Sequence, residues 1–348
     1  MTTTCLINNY NYARFIAQAV DSALGQTVPF DEIIVVDDGS TDGSTELLAR
    51  RFAGHPVIQV IAKDNQGQLS CFNEGFARTS GDIVFFLDAD DIYEPSYIEQ
   101  ALDVYSRDRH CDFVFCGHRQ FGQRNGVALK STTDRDLGYS VILAAYMREW
   151  IGGPTSCLSM RRRVLEKILP LPFVEEWQTR ADDCLVFGAS LAGARKYYLA
   201  QPLVRYRVHG DNQFCGRRVD KFAVYRRRLA INALFEHLLR KFSYNFQRLA
   251  EFHHREFCTI ARPTFRQLTQ YCRIGANSRA SLVRRLACLA EMSGHFLRTM
   301  IWPDVDTGLA ESPSEVHDYP MQLRVFAPAD AAGTMDAKWP RGNRHRAA

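Results

Sequence analysis

Over the first 116 residues, short apolar runs alternate with polar turns and helical patterns. Residues Thr3–Asn8, Glu32–Val36, Val57–Ala62, Ile83–Leu87 and Asp112–Cys116 form the runs, with the composition of strands buried on both faces. Between them apolar residues recur at helical spacing, as at Ile16, Val20 and Leu24. Strand, helix and strand repeated in this order predict an α/β fold, a mostly parallel sheet with helices on both faces. In such sheets ligands bind beyond the carboxyl ends of the strands. The polar clusters Asn8–Asn11, Asp37–Asp42, Asn65–Gln68 and Asp88–Asp91 each follow one run, so all four are expected at one rim.

The pattern then changes twice. Residues 117–215 mix loops with shorter elements and close in YRVHGDN. From 217 to 300, Phe235, Leu238, Leu239, Phe242, Phe246, Leu249 and Phe252 recur every three or four positions with arginines between them, which predicts amphipathic helices. After Trp302 apolar periodicity fades and Pro, Ala, Asp and Gly take over. The segment 303–348 is therefore expected to be disordered.

Charge sharpens this division. The chain has 348 residues, 46% of them hydrophobic, enough for one large domain or two smaller ones. Its net charge of +4 is uneven, for residues 217–300 hold 17 Lys/Arg against 5 Asp/Glu. Those arginines are threaded through a helical apolar pattern and not set on stacking platforms, so no nucleic acid partner is expected. Two readings stay open for this segment. It can touch an anionic membrane surface, where each Lys/Arg contributes about 1 kcal/mol, or it can pack its phenylalanines on the first domain as a helical cap. The N-terminus carries no basic stretch followed by an apolar one, and no run of about 18 apolar residues occurs, so a cytoplasmic protein is expected, peripheral at most on the inner face of the membrane. Ten scattered cysteines without a C-x-x-C spacing read as free, buried thiols; nothing sets a base beside Cys71 or Cys184.

Two motifs carry chemistry. The stretch DIVFFLDADD runs an apolar strand into Asp88, Asp90 and Asp91. Carboxylates clustered at a strand end repel one another, and two of them separated by a small residue can share Mn²⁺ or Mg²⁺ through oxygen ligands while leaving positions for phosphate oxygens. The stretch EIIVVDDGSTDGS delivers a second strand into Asp37 and Asp38, where a fixed carboxylate can accept a hydrogen bond from a base edge such as a uracil imide. A calcium loop starting at Asp38 fails, because its twelfth position is Ala49 and no helix precedes it. Neither G-x-G-x-x-G after the first strand nor G-x-x-x-x-G-K-[ST] occurs, so a diphosphate bound here needs a metal.

The motifs NNYN at 8–11, EIIVVDDGSTD at 32–42, NQGQLSCFNEGFARTSGDIVFFLDADD at 65–91 and the later YRVHGDN resemble, in order and spacing, the signature of family 2 glycosyltransferases of the GT-A fold, over roughly residues 3–212. The resemblance implies an inverting glycosyltransferase that moves a sugar, most simply from a UDP-sugar, to a hydroxyl of a glycan or lipid-linked acceptor in cell-surface polysaccharide synthesis. It implies a catalytic domain at 1–215, with a nucleotide-binding half at 1–116 and an acceptor and base half at 117–215, followed by the basic helical segment at 216–302. The processive members carry membrane spans and a Q-x-x-R-W motif, both missing here. A sugar nucleotidyltransferase and a catalytically inactive glycan-binding relative are the rival readings; the first lacks its Gly-rich basic loop in NNYNYARF, and the second would lack one of the carboxylates.

Site residues follow from the same resemblance. Tyr10 stacks on the base, with Asn8, Asn9 and Asn11 near it; Asp38 accepts from the imide, Asp37 supports the loop or ribose, and Asn65 with Gly67 lets the backbone pass close to the nucleotide. Asp88 with Ala89 contacts ribose or metal, Asp90 is the principal metal ligand, and His209 is a candidate to reach the metal or diphosphate. Trp150, Thr155 and Ser156, with Gly152 and Gly153, resemble an acceptor wall. The base comes from ADDCLVFGASLAG, as Asp182 or Asp183; the offsets to Leu185 and Gly193 favour Asp182. Phe72 stands where the family often has a basic residue, and Arg78 or a later residue is expected to compensate. A carboxylate of ordinary pKa, about 4, can take the acceptor proton only late in the reaction.

Overall fold

The computed structural model describes residues 1–210, 212 and 220–301. The expected disorder of 303–348 lies outside the described residues. Four parallel strands form the first half: β1 (Thr3–Asn9), β2 (Glu32–Asp37), β3 (Ile58–Ala62) and β4 (Ile83–Asp88). The helices α1 (Ala13–Leu24), α2 (Ser44–Phe52) and α3 (Gln68–Arg78) make the crossovers. The register brings the polar strand ends level, with Asn9 opposite Asp37 and Asn8 opposite Asp88. The interiors of β1, β2 and β4 are buried on both faces, as their β-branched and aromatic runs require.

The chain continues through β5 (Ile92–Tyr93), α4 (Tyr97–Arg107), β6 (Cys111–Gly122), β7 (Gly126–Ala128), β8 (Arg135–Gly138) and α5 (Val141–Met147). It then forms β9 (Leu158–Arg161), α6 (Arg162–Ile168), α7 (Asp182–Leu191) and β10 (Arg195–Val208). The sheet order is β3-β2-β1-β4-β9-β6-β10-β5, with β7 on β6 and β8 on β10. The sheet is mixed, because β9 inserts antiparallel between β4 and β6 while β6 and β10 run parallel. Four residues, LSMR, were too short a run to stand out in the sequence. Their direction matters: a strand antiparallel to β4 begins where β4 ends, so the preceding Thr155 and Ser156 arrive beside Asp88.

Five helices follow: α8 (Lys221–Lys241), α9 (Phe246–Leu249), α10 (His253–Cys258), α11 (Phe265–Ala276) and α12 (Leu282–Ile301). The periodic phenylalanine pattern is broken after α8, where Ser243 takes a left-handed φ of 55° and Asn245 caps α9 through the Arg248 N–H. Leu234, Phe235, Leu238, Phe242, Phe257, Tyr271 and Met292 are buried in one continuous core with Phe72, Phe86 and Leu185. Glu256 fastens this cap: fully buried, it accepts from the N–H groups of Ile142 and Leu143 at the start of α5 and from the Tyr271 hydroxyl at 2.8 Å. Unpaired N–H groups at a helix start favour a carboxylate in that position. The outer faces of α8 and α12 leave Phe222, Tyr225, Leu282, Val283 and Leu286 exposed. Among the described residues, no helix is long and apolar enough to cross a membrane.

Candidate active site

A cleft of about 780 Å³ opens at the carboxyl ends of β1, β2 and β4 and is closed by the 177–182 loop and by α8. That volume suits a small-molecule or cofactor site. Of the residues expected there, Asn8, Asn9, Tyr10, Asp38, Asn65, Gly67, Asp88, Ala89, Asp90, Trp150, Thr155 and Asp182 line it. Asn11, Asp37, Ser156, Asp183 and His209 do not, each for a definite reason.

Asp37 is fully buried and spends its carboxylate inside the loop, accepting from Asn9 Nδ2 at 2.6 Å, Ser40 N at 2.9 Å and the Thr45 hydroxyl at 3.1 Å. It is a brace for the turn. Asn11, at φ 58°, staples the same turn by accepting from Thr41 N at 2.8 Å and donating its own N–H to Ser40 Oγ; asparagine tolerates this left-handed backbone. Asp42 accepts from the N–H of Ala13 at the start of α1, 2.8 Å away. Asp38 faces the cleft and is itself held rigidly, by the N–H groups of Gln66 and Gly67 at 3.0 and 2.7 Å and by the Lys63 ammonium. Lys63 was not foreseen. Four lone-pair sites on a carboxylate leave room for one more donor.

Gly67 lines the cleft and is also packed tightly against the chain itself. It sits at φ 90°, and a Cβ there would stand 2.3 Å from the Cα of Gln178. The chain's own 177–178 loop passes close by, and its carbonyls accept the first N–H groups of α3 from Gln68 at 2.9 Å and Leu69 at 3.2 Å. Phe72 lies fully buried, edge-on to Phe86, so the position where a basic residue was missed is core. Arg78 pairs with Glu74 on the surface, and it is Arg180 and Arg227 that bring positive charge to the cleft.

The three carboxylates after β4 divide their labour. Asp91 is buried, accepting from Ser156 Oγ at 2.6 Å and Arg207 N at 2.9 Å. Ser156 also takes the Asp88 N–H at 3.1 Å; fully buried, it pins the strand end and does not form an acceptor wall. Asp88 keeps an edge in the cleft. Burial and the neighbouring charge of Asp90 push its pKa up to about 7, with hydrogen bonding from Asn8 and Thr155 opposing and the charge of Asp182 adding to the rise. Asp90 accepts from His209 Nε2 at 2.9 Å and from Asn212 Nδ2 at 3.4 Å. His209 thus stands behind Asp90, its Nδ1 3.4 Å from Arg14 and its ring against Phe15 and Tyr12, and it reaches the cleft only through the carboxylate it orients.

Helix α7 settles which acid of its pair faces in. Asp183 is fully buried and gripped by Arg227 of α8, whereas Asp182 lines the cleft. Burial and the charge of Asp183 raise Asp182 to about 7, with Arg180 and Arg227 opposing. Gln68 connects this helix to the strand end: its Nε2 donates to Asp88 Oδ1 at 2.9 Å and to Thr155 Oγ1 at 3.3 Å, and its Oε1 accepts the Ala181 N–H at 2.9 Å. Trp150 lines the opposite wall, with Lys130 Nζ 4.8 Å above its ring. Cys71 also lines the cleft, but burial and the charge of Asp38 hold its thiol up to about 12, and burial raises Cys184 likewise.

Tyr12, Pro154, Gln178, Thr179, Arg180, Tyr206, Asn212 and Arg227 complete the lining and were not singled out from sequence, while Gln68 belongs to the Asn65–Gln68 cluster expected at the rim. Gln68 lies inside the NQGQ motif and Arg180 almost abuts the acidic pair, so their neighbourhood was a usable signal. Arg227, within the run Arg226–Arg228, read only as charge.

Comparison with known proteins places the chain among glycosyltransferases by similarity. Residues 4–169 match the model of glycosyl transferase family 2. An uncharacterized glycosyltransferase of Nostoc sp. is 36% identical over 219 residues, covering 61% of this chain and 66% of that protein. The EpsH glycosyltransferase of Bacillus subtilis is 28% identical over 208 residues, covering 59% and 60%. Chondroitin synthase of Escherichia coli is 32% identical over 118 residues, 34% of this chain and 17% of the synthase. The chain thus spans less than two thirds of these curated relatives. Among solved structures, residues 1–349 of TarS from S. aureus in complex with UDP-GlcNAc share the fold at a TM-score of 0.54 and 17% identity, over 87% of this chain and 91% of that one.

Proposed function

Residues 4–169 make this chain a member of glycosyl transferase family 2, and from that premise we propose that it is an inverting, metal-dependent glycosyltransferase using a UDP-sugar. The observation that carries this reading is the convergence of Asp38, Asp88, Asp90 and Asp182, from three separate stretches of chain, on one cleft. The acceptor in this reading is a hydroxyl of a glycan or lipid-linked glycan, bound against Trp150 and Thr155. The catalytic domain is taken as 1–215 and the basic helices 216–302 as its cap, with peripheral membrane contact through their exposed face.

The donor set fits a hard divalent ion. Asp88 and Asp90 offer oxygens only, and the Asn8 side-chain oxygen nearby is buried without a hydrogen-bond partner. Mutual repulsion, which raises Asp88, is relieved when a cation is shared. Asp88 and Asp90 would hold Mn²⁺ or Mg²⁺, and when bound the ion supplies neutralisation of the charge on the departing diphosphate, a contribution of several kcal/mol.

The chain's own groups do the rest. Asp38 accepts the base imide, Tyr10 stacks on the base, and Arg180 and Arg227 offset the diphosphate charge that Phe72 cannot meet. Asp182 takes the proton of the acceptor hydroxyl. A base poised at about 7 is well matched to neutral pH, better than the ordinary carboxylate expected from sequence. Transfer remains late, since a free alcohol holds its proton far more tightly.

A panel of nucleotide-sugars incubated with Mn²⁺ tests the proposal, with UDP-GlcNAc tried first because the TarS neighbour holds it. Release of UDP from one donor, abolished by chelation, supports the reading. Silence across the panel favours a glycan-binding relative without catalysis.

A further inference from the structure

We propose that His253 and His254 of α10 and Cys288 of α12 form a second metal site, selective for zinc, that pins the two helices together. One ligand atom from each residue lies within 4.8 Å of the other two, with His253 and Cys288 buried and His254 half-buried. None of the three lines the cleft.

The donors differ in kind from those of the cleft. Imidazole nitrogen and thiolate sulfur suit zinc or cobalt, whereas the all-oxygen set at Asp88 and Asp90 suits manganese or magnesium. The His253 ring is arranged as a ligand would be. His253 Nδ1 donates to the Ala250 carbonyl at 2.7 Å, which leaves Nε2 with its lone pair; a backbone carbonyl on the far nitrogen is the usual support of a metal-bound histidine.

A fourth donor is at hand. Glu291 follows Cys288 by three residues on α12, and its carboxylate lies 3.8 Å from His254 Nε2. Bond lengths of 2.0–2.3 Å around tetrahedral zinc separate the ligand atoms by about 3.5 Å, so the cluster closes by about 1 Å on loading. The Cys288 thiol gives its proton to solvent as the sulfur–metal bond forms.

The test uses the full chain carrying Asp90→Asn, which weakens the cleft metal, stripped with chelator and loaded with Zn²⁺ or Co²⁺. The expected result is one equivalent of zinc retained through gel filtration, and a thiolate-to-cobalt charge-transfer band in the near ultraviolet. Cys288→Ser and His254→Asn, each added singly and checked for folding by circular dichroism, should remove the band and weaken zinc retention at least tenfold. A protein that keeps no zinc, a cobalt spectrum without the thiolate band, or unchanged retention in Cys288→Ser overturns the site. Should the serine variant fail to fold, zinc protection of Cys288 against alkylation, read by peptide mass, decides: equal labelling with and without zinc rejects the proposal. Sugar transfer is not a readout, so failure here leaves the glycosyltransferase reading intact.

Discussion

Arg227 grips Asp183 through two hydrogen bonds, Nε to Oδ2 at 2.7 Å and Nη2 to Oδ1 at 2.8 Å. A bidentate pair of this kind consumes the carboxylate. It separates two adjacent acids that look interchangeable in the sequence, leaving Asp182 to the cleft and tying the basic helix α8 to α7.

Asp182→Asn should lower the transfer rate by about 10²–10⁴-fold, the usual worth of a general base, with UDP affinity unchanged by calorimetry. Asp183→Asn should instead lower the melting temperature, because it leaves the Arg227 guanidinium without its charge partner. If the two variants exchange these phenotypes, the assignment of the base is wrong.

Asp90→Asn should eliminate manganese-stimulated release of UDP from the donor. Donor hydrolysis followed against metal concentration checks this, and a variant that still responds to manganese would remove Asp90 from the metal site.

Gln68→Leu should break the tie between Asp88, Thr155 and Ala181 while leaving α3 intact. A misplaced base helix reduces turnover, here by roughly 10-fold or more, without an equal effect on donor binding. Steady-state kinetics should show kcat falling and donor KM nearly constant; a pure KM effect contradicts the positioning role.

Without metal, Asp88 and Asp182 titrate near 7 in the folded protein and near 4 when unfolded. Between those values the folded state holds protons that the unfolded state has released, so stability falls as pH rises from about 4 to 7 and then levels off. Melting temperatures in chelator should trace this decline, added Mn²⁺ should oppose it above pH 7, and Asp182→Asn should flatten it. A rise in stability over the same range would refute the shifts.

Glu256→Ala should cost about 1–3 kcal/mol or more, since it strands the N–H groups of Ile142 and Leu143 and the Tyr271 hydroxyl without an acceptor. Urea denaturation measures it. An unchanged midpoint would mean that the helical cap does not depend on this anchor.

The strands β1 to β4, the rim they share and the motif carboxylates Asp38, Asp88 and Asp90 were all legible in the sequence. Local rules suffice for these: an apolar run buried on both faces must be a central strand, and polar residues after it must lie at its carboxyl end. Family resemblance added Asp182 with Asp183, and the basic segment announced itself by charge.

What the sequence could not rank was which polar residue is a tool and which is a brace. Asp37, Asn11, Ser156 and Asp183 have the same chemistry as the residues that line the cleft, yet each is consumed by partners between 3 and 68 positions away. Arg227 and Gln178 joined the site only because α8 and the 177–182 loop meet there. Element identity follows from periodicity over a few residues, so the sequence by itself determined it. Whether a carboxylate meets solvent, a neighbour's N–H or a guanidinium depends on contacts between distant segments, and only the packed chain decided that.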